Sequence, residues 1–235
     1  TDFLSNMSHE LRTPMHAIIS YSQMGLEKTG NVEAEKLIKY YENINKSGKR
    51  LLHLLNDLLD LSKLEAGRMS FEMNPHNLKT SVDDSLSELE PLYTKKNQKI
   101  IQKIEASNLD CEYDDVRISQ VLMNLLSNAI KFTEDGKEIT IRYKDKKIFS
   151  DTGIMEGLEV SVEDKGIGIP EGEQNKVFDK FIQSSKTNSG SGGTGLGLSI
   201  CKEIISGHKG NIWAENLVGG GAKFVFVIPK TSDNK

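Results

Sequence analysis

The chain is short of several things, and each shortage narrows what it can be. No apolar run in its 235 residues approaches the roughly 18 needed for a membrane-spanning helix. No signal-peptide pattern opens it, and it starts without methionine inside a helical pattern, as a piece of a longer protein would. Cysteine is scarce: Cys111 and Cys201 lie far apart without metal or redox spacing, which leaves buried or idle thiols and favours a reducing, cytoplasmic setting. Basic excess is absent too. A net charge of −4 and a pI near 5.8 give no footprint for nucleic acid, and Lys95-Lys96 and Lys146-Lys147 read as solvated faces. What remains, 37% hydrophobic and 27% charged residues, is ordinary globular composition with length for one or two domains.

Two periodicities divide the chain. Residues 1–67 read as two long helices broken at Gly30-Asn31. Leu4, Met7, Leu11 and Ile18 form a stripe on the first. On the second, Leu37, Tyr41, Ile44, Gly48, Leu51, Leu55, Leu58 and Ser62 form a heptad seam that Leu54 and Leu61 widen. Two helices cannot bury stripes that wide, so two chains are expected to pair into a four-helix bundle, a homodimer through the hairpin. Residues 68–235 switch to mixed elements: a strand over MSFEM (69–73), a helix over 77–94, and strands near 99–104 and 110–114. A helix over 115–132 follows, then strands at 138–144 and 158–165 around a polar hairpin, a helix over 195–207, and closing strands at 211–216 and 222–228. That density implies an α/β sandwich, one sheet backed by helices.

Three stretches of this second part carry polar chemistry. SGSGGTGLGL (189–198) lets backbone amides approach phosphate oxygens, and the helix that follows offers its N-terminus to the same anion; a flexible surface loop is the bland alternative. Gly190, Gly192 and Gly195 fit G-x-G-x-x-G, but a polar stretch precedes them where the dinucleotide fingerprint needs a strand. No G-x-x-x-x-G-K-[ST] occurs either. DKGIGIP (164–170) closes a strand with an aspartate that can accept from an exocyclic amine, or merely cap a turn. On the helix at 115–132, Asn124, Asn128 and Lys131 share one face: amide oxygens can ligate Mg²⁺ and a lysine can meet phosphate, although asparagines on a helix are often just exposed.

SHELRTPMHAI (8–18) adds a histidine problem, since His9 and His16 point the same way on a helix. His9-Glu10-Leu11-Arg12-Thr13 lacks the second histidine of the zinc motif H-E-x-x-H, so zinc is not supported there. His9 lies about 180° from the mean direction of residues 7 and 11 and should project into solvent. Glu10 stands beside it and Thr13 one turn on, whereas His16 has no acid or hydroxyl adjacent. Pro14, which has no N–H for the carbonyl of Glu10, should bend the helix one turn past His9.

Taken in order, these blocks resemble the kinase core of the sensor histidine kinases of two-component signalling, over nearly the whole chain. FLSNMSHELRTP (3–14) resembles the phospho-acceptor box, QVLMNLLSNAIKFT (120–133) the asparagine box, DKGIGIP (164–170) the first glycine box, FDKF (178–181) the phenylalanine box and GTGLGL (193–198) the second glycine box. The resemblance implies a dimerising phosphotransfer hairpin over 1–67 and, over 68–235, an ATP-binding α/β sandwich of the type shared with gyrase, Hsp90 and MutL. It implies ATP and Mg²⁺ as cofactors and a response-regulator receiver domain as partner. His9 would be phosphorylated, with Glu10 orienting its ring and taking its proton, and Thr13 would orient water in a phosphatase reaction on the same regulator. Asp164 would read the adenine amine, Asn128 would hold Mg²⁺ with Asn124 beside it, and Lys131 would meet phosphate. Gly166 and Gly168 would line the base. Gly193, Thr194, Gly195, Leu196 and Gly197 would close a lid over residues 183–194, with Phe178 and Phe181 at its base. The chain departs from many relatives where Gln183 follows the phenylalanine box, which leaves Lys186 as the nearest lid cation. Asn124 stands where ATP-hydrolysing relatives carry a glutamate, so ATP should be spent on a protein nucleophile. An imidazole, mostly neutral at pH 7, keeps one nitrogen lone pair for that attack. The rival readings are a scaffold that only binds ATP, and an ATP-driven clamp of the gyrase–Hsp90 type.

Overall fold

A computed structural model describes residues 2–27, 33–150, 153–180, 182 and 195–230. The chain separates into two compact units, Thr1–Met69 and Ser70–Lys235.

The first unit is a hairpin of α1 (Asp2–Glu27) and α2 (Ala34–Glu65), packed side by side. Helix α1 runs through Pro14, which is buried. Tyr21 and Tyr40 meet across the hairpin with ring centroids 5.9 Å apart. The expected seam on α2 divides in two. Leu54 and Leu61 are buried, while Tyr41 and Leu55 of that seam face out with Ile38, Leu52 and Leu59 at heptad-like spacing. Helix α1 likewise exposes Met15, Ile19 and Leu26. One stripe cannot face two neighbours, so the wide apolar surface splits into an inner and an outer edge.

The second unit holds a five-stranded sheet in the order β2-β4-β5-β7-β6. Its strands are β2 (Lys99–Ile104), β4 (Glu138–Ser150), β5 (Gly153–Glu163), β6 (Asn211–Asn216) and β7 (Ala222–Pro229). β2 and β4 are parallel, and the crossover this requires contains β3 (Asp110–Tyr113) and α4 (Asp115–Phe132). The remaining neighbours are antiparallel. Helices α3 (Leu78–Lys95), α4 and α5 (Gly197–Gly207) pack in sequence, with α4 and α5 against the sheet. Helix α4 buries Ile118, Val121, Leu122, Leu125, Leu126, Ala129 and Ile130, and each large side chain of that set contributes about 1.5–3 kcal/mol of burial. No described helix is long and apolar enough to cross a membrane.

Two local expectations need correction. Residues 69–73 are not a strand; the strand is β1 (Asn74–Asn77), paired antiparallel with β3 in a sheet of two strands. With a single partner β1 tolerates Pro75. Phe71 instead lies edge-on to the His208 ring, centroids 5.0 Å apart, and the Glu72 N–H donates to Asp114 Oδ2 at 3.0 Å. The polar stretch after residue 144 is also strand, because β4 and β5 stay in register from Thr140↔Glu163 out to Ser150↔Gly153. Ile148, buried there, anchors the extension.

Candidate functional site

The asparagine helix starts from a firm cap. Asp114 accepts the Arg117 N–H at 3.1 Å, and the buried face of α4 then leaves Asn124 and Asn128 on its partly open side. The two amides meet: Asn128 Nδ2 donates to Asn124 Oδ1 at 2.9 Å. Helix α5 begins directly beside them. A Cβ on Gly197 would come within 1.9 Å of Asn124 Nδ2, so a larger residue there would have to displace the Asn124 amide. Two sequence blocks some seventy residues apart are thereby joined, with the free amides of a helix start set against an amide pair. Leu196, fully buried, fixes that start, and its carbonyl accepts from Ser199 Oγ at 2.8 Å; Gly195 precedes it in a left-handed conformation. Lys131 is exposed on the last turn of α4, its Nζ 4.8 Å from the Phe132 ring centroid.

Asp164 follows β5 and is 4% exposed. Its Oδ1 accepts from the Gly166 N–H at 2.9 Å and the Ala222 N–H at 3.2 Å. Burial pushes its carboxyl above the ordinary carboxylate range, and the two backbone bonds pull in the opposite direction. The Asp164 N–H donates back to the Ala222 carbonyl at 2.8 Å. This loop approaches so closely that a Cβ on Gly221, whose φ is +95°, would sit 2.0 Å from the Asp164 carbonyl oxygen. Gly166 bridges to Thr133 at the end of α4, which ties the first glycine box to the asparagine helix. The loop holding Gly168 is pinned by Asn216, which exchanges two hydrogen bonds of 2.7 Å with the backbone of Ile169. Beneath it Phe178 is buried, its ring 6.3 Å from Phe224.

The donor set suits a hard cation shared with phosphates. Among the described residues no cluster of three His, Cys, Asp or Glu could cage a metal; the amide oxygens of Asn124 and Asn128 are hard donors, and an Mg²⁺ held by so few protein ligands would complete its shell with water and phosphate. Thr133 Oγ1 is buried beside the Gly166 bridge with no hydrogen-bond partner among the described residues. Lys186, Gly193, Thr194 and Phe181 lie outside the described residues.

In the hairpin unit His9 is exposed, as is Thr13, whose hydroxyl donates to the His9 carbonyl at 3.2 Å. Glu10 turns the other way: Arg50 Nη2 donates to its Oε2 at 3.0 Å. Arg50, Asn216 and Gly221 were not singled out from sequence. Gly221 had a signal in the triplet Gly219–Gly221 between two strands, but nothing near Arg50 or Asn216 points to a partner 40 or 47 residues away.

Comparison with known proteins adds two family matches. Residues 1–67 match the His Kinase A (phospho-acceptor) domain, and residues 113–232 match the histidine kinase-, DNA gyrase B-, and HSP90-like ATPase. The chain is similar to the circadian input-output histidine kinase CikA of Synechococcus elongatus, with 36% identity over 97% of this chain and 30% of that one. It is also similar to the autoinducer 2 sensor kinase/phosphatase LuxQ of Vibrio parahaemolyticus, with 33% identity over 97% of this chain and 26% of that one. Among solved structures it resembles the histidine kinase ThkA in complex with the response regulator protein TrrA, with TM-score 0.71 and 28% identity over 100% of this chain and 63% of that one. The chain thus spans under a third of the length of these two curated relatives.

Proposed function

The chain belongs to the sensor histidine kinases of two-component systems, protein-histidine kinases, and from that premise we propose that it phosphorylates its own His9 from ATP and passes the phosphoryl group to an aspartate of a response-regulator receiver domain. The observation that carries the reading is the Gly197–Asn124 approach, which sets the start of α5 against the asparagine pair. Asp164 would accept the adenine amine through its carboxylate, whose two backbone bonds both fall on Oδ1. The α5 amides and Lys131 would face the phosphates. Asn128, with Asn124 bonded to it, would hold Mg²⁺, which supplies positive charge against the transferring group.

At the acceptor, a ring nitrogen of His9 attacks the γ-phosphorus. The N–P bond forms, the P–O bond to ADP breaks, and the proton on the other ring nitrogen passes to Glu10. Exposure of His9 suits a nucleophile that two different domains must reach in turn, the nucleotide-binding unit and the receiver. The kinase/phosphatase named among the relatives supports a second activity, in which Thr13 orients water to dephosphorylate the receiver. Pairing of the outer apolar edges of α1 and α2 with those of a second copy would make the homodimer, and the reaction belongs in the cytoplasm, where ATP and receiver domains meet.

Labelled ATP tests the assignment. The parent chain should acquire acid-labile, base-stable phosphate; His9→Gln should lose it and His16→Gln should keep it. Label retained in His9→Gln would overturn the reading. Thr13→Ala should keep autophosphorylation and lose receiver dephosphorylation, and an unchanged dephosphorylation rate would remove the phosphatase role.

A further inference from the structure

Glu10 does not face the ring it is expected to serve. Successive residues of a helix diverge by about 100°. His9 is exposed, whereas Glu10 sits half-buried on the side of α1 that carries the buried Pro14 one turn on. Its carboxylate takes the bond from Arg50 Nη2 at 3.0 Å across the hairpin, and among the described residues no hydrogen bond joins it to the His9 ring. A guanidinium opposite a carboxylate can fork onto it with two parallel bonds. Among the described residues one such bond forms, and Arg50 Nε is buried with no acceptor among them.

We propose that Arg50 is a positioning residue for autophosphorylation: in the resting hairpin it holds the Glu10 carboxylate toward α2 and off His9, and transfer proceeds when that ion pair opens. The proposal rests on His9 as nucleophile and Glu10 as base. As the N–P bond forms and the P–O bond to ADP breaks, ADP leaves with the electron pair of that bond, and the proton of the other ring nitrogen must reach a carboxylate oxygen. While Arg50 holds Oε2, the carboxylate is turned toward the other helix.

The pair is suited to opening. Side-chain exposures of 37% for Arg50 and 29% for Glu10 put it partly in water, where ion pairs contribute little. The unpaired Nε adds a desolvation cost to the closed arrangement that opening would relieve. Neither residue belongs to the nucleotide-binding unit, so the effect should fall on kcat and leave the KM for ATP alone.

Initial rates of His9 labelling by the purified 235-residue chain over a range of ATP concentrations test this. Arg50→Gln and Arg50→Met should each raise kcat two-fold or more with KM for ATP unchanged. Arg50→Lys, which can keep an ion pair, should stay near the parent. In a Glu10→Gln background, Arg50→Gln should give no gain. Unchanged or lower kcat in both neutral variants, with melting temperature and secondary structure retained, would overturn the proposal. A gain that survives Glu10→Gln would overturn it too, because the effect would not pass through the carboxylate. Failure of the underlying reading is separate: label would then persist in His9→Gln.

Discussion

Asp164 shows what a single residue can gain and lose in this fold. Its carboxylate is buried, and burial raises its pKa above the ordinary value against the pull of the Gly166 and Ala222 N–H bonds. A carboxyl whose folded pKa is raised contributes stability at low pH, and that contribution is lost as pH rises through the folded value. At neutral pH the ionised group therefore weighs against folding. Asp164→Asn keeps an oxygen for both backbone N–H groups while removing the charge. The variant should melt higher than the parent at pH 7 and no longer bind ATP, as measured by thermal unfolding and nucleotide titration. A lower melting temperature would show that the charge is compensated. The placements most legible in the sequence are local ones, Asp164 beside its glycines at the end of β5 and Asn124 one turn from Asn128 on α4, whereas Glu10, expected to orient the His9 ring, bonds Arg50 instead. Arg50, Asn216 and Gly221 did not read, because each acts on a partner that only the hairpin or the sheet brings near.

At the scale of elements, the same distinction explains the misplaced strand. MSFEM alternates as a strand should, but Phe71 packs over Gly207, where a Cβ would come within 2.3 Å of its ring, and edge-on to His208 at the end of α5. Helices and central strands were legible because their periodicity reports the sheet or core they face; a segment whose partners lie near the far end of the chain leaves no such trace. His208 holds this corner together as a neutral ring. Its Nε2 accepts the Asp114 N–H at 3.0 Å, so Nδ1 carries the proton and donates to the Ile204 carbonyl at 2.8 Å. Burial lowers its pKa from the ordinary 6.5, while the bond to Ile204 and the nearby Asp114 charge oppose the shift. Folding thus keeps off a proton that the unfolded chain binds, so stability from this group is present above pH 6.5 and falls as pH drops below it. His208→Gln should be less stable than the parent at pH 7.5, and the gap in melting temperature should narrow steadily toward pH 5.5. A gap independent of pH would mean that the ring serves by packing alone.

The whole molecule raises a question of area. Leu26 is 75% exposed on α1, and Tyr41, Leu52, Leu55 and Leu59 are each about half exposed or more on α2. Scattered apolar residues on a surface need no explanation, but rows repeating with the helix turn on both members of a hairpin do. Water is a poor neighbour for such rows, and a second hairpin of the same sequence presents matching ones through a two-fold axis. The homodimer proposed above would bury them as a four-helix bundle. Leu55→Glu places a charge in the middle of the α2 row and, through the two-fold, repeats it in the partner. Burying both carboxylates would cost far more than the lost leucine contacts, so the bundle should come apart. The parent should sediment near twice the 26.2 kDa of one chain and Leu55→Glu near that mass itself. The separated hairpin should also lose helical circular dichroism, because its inner edge alone buries too little to hold two long helices, while ATP binding by the second unit should survive. A variant that stays dimeric would place the outer rows outside the interface.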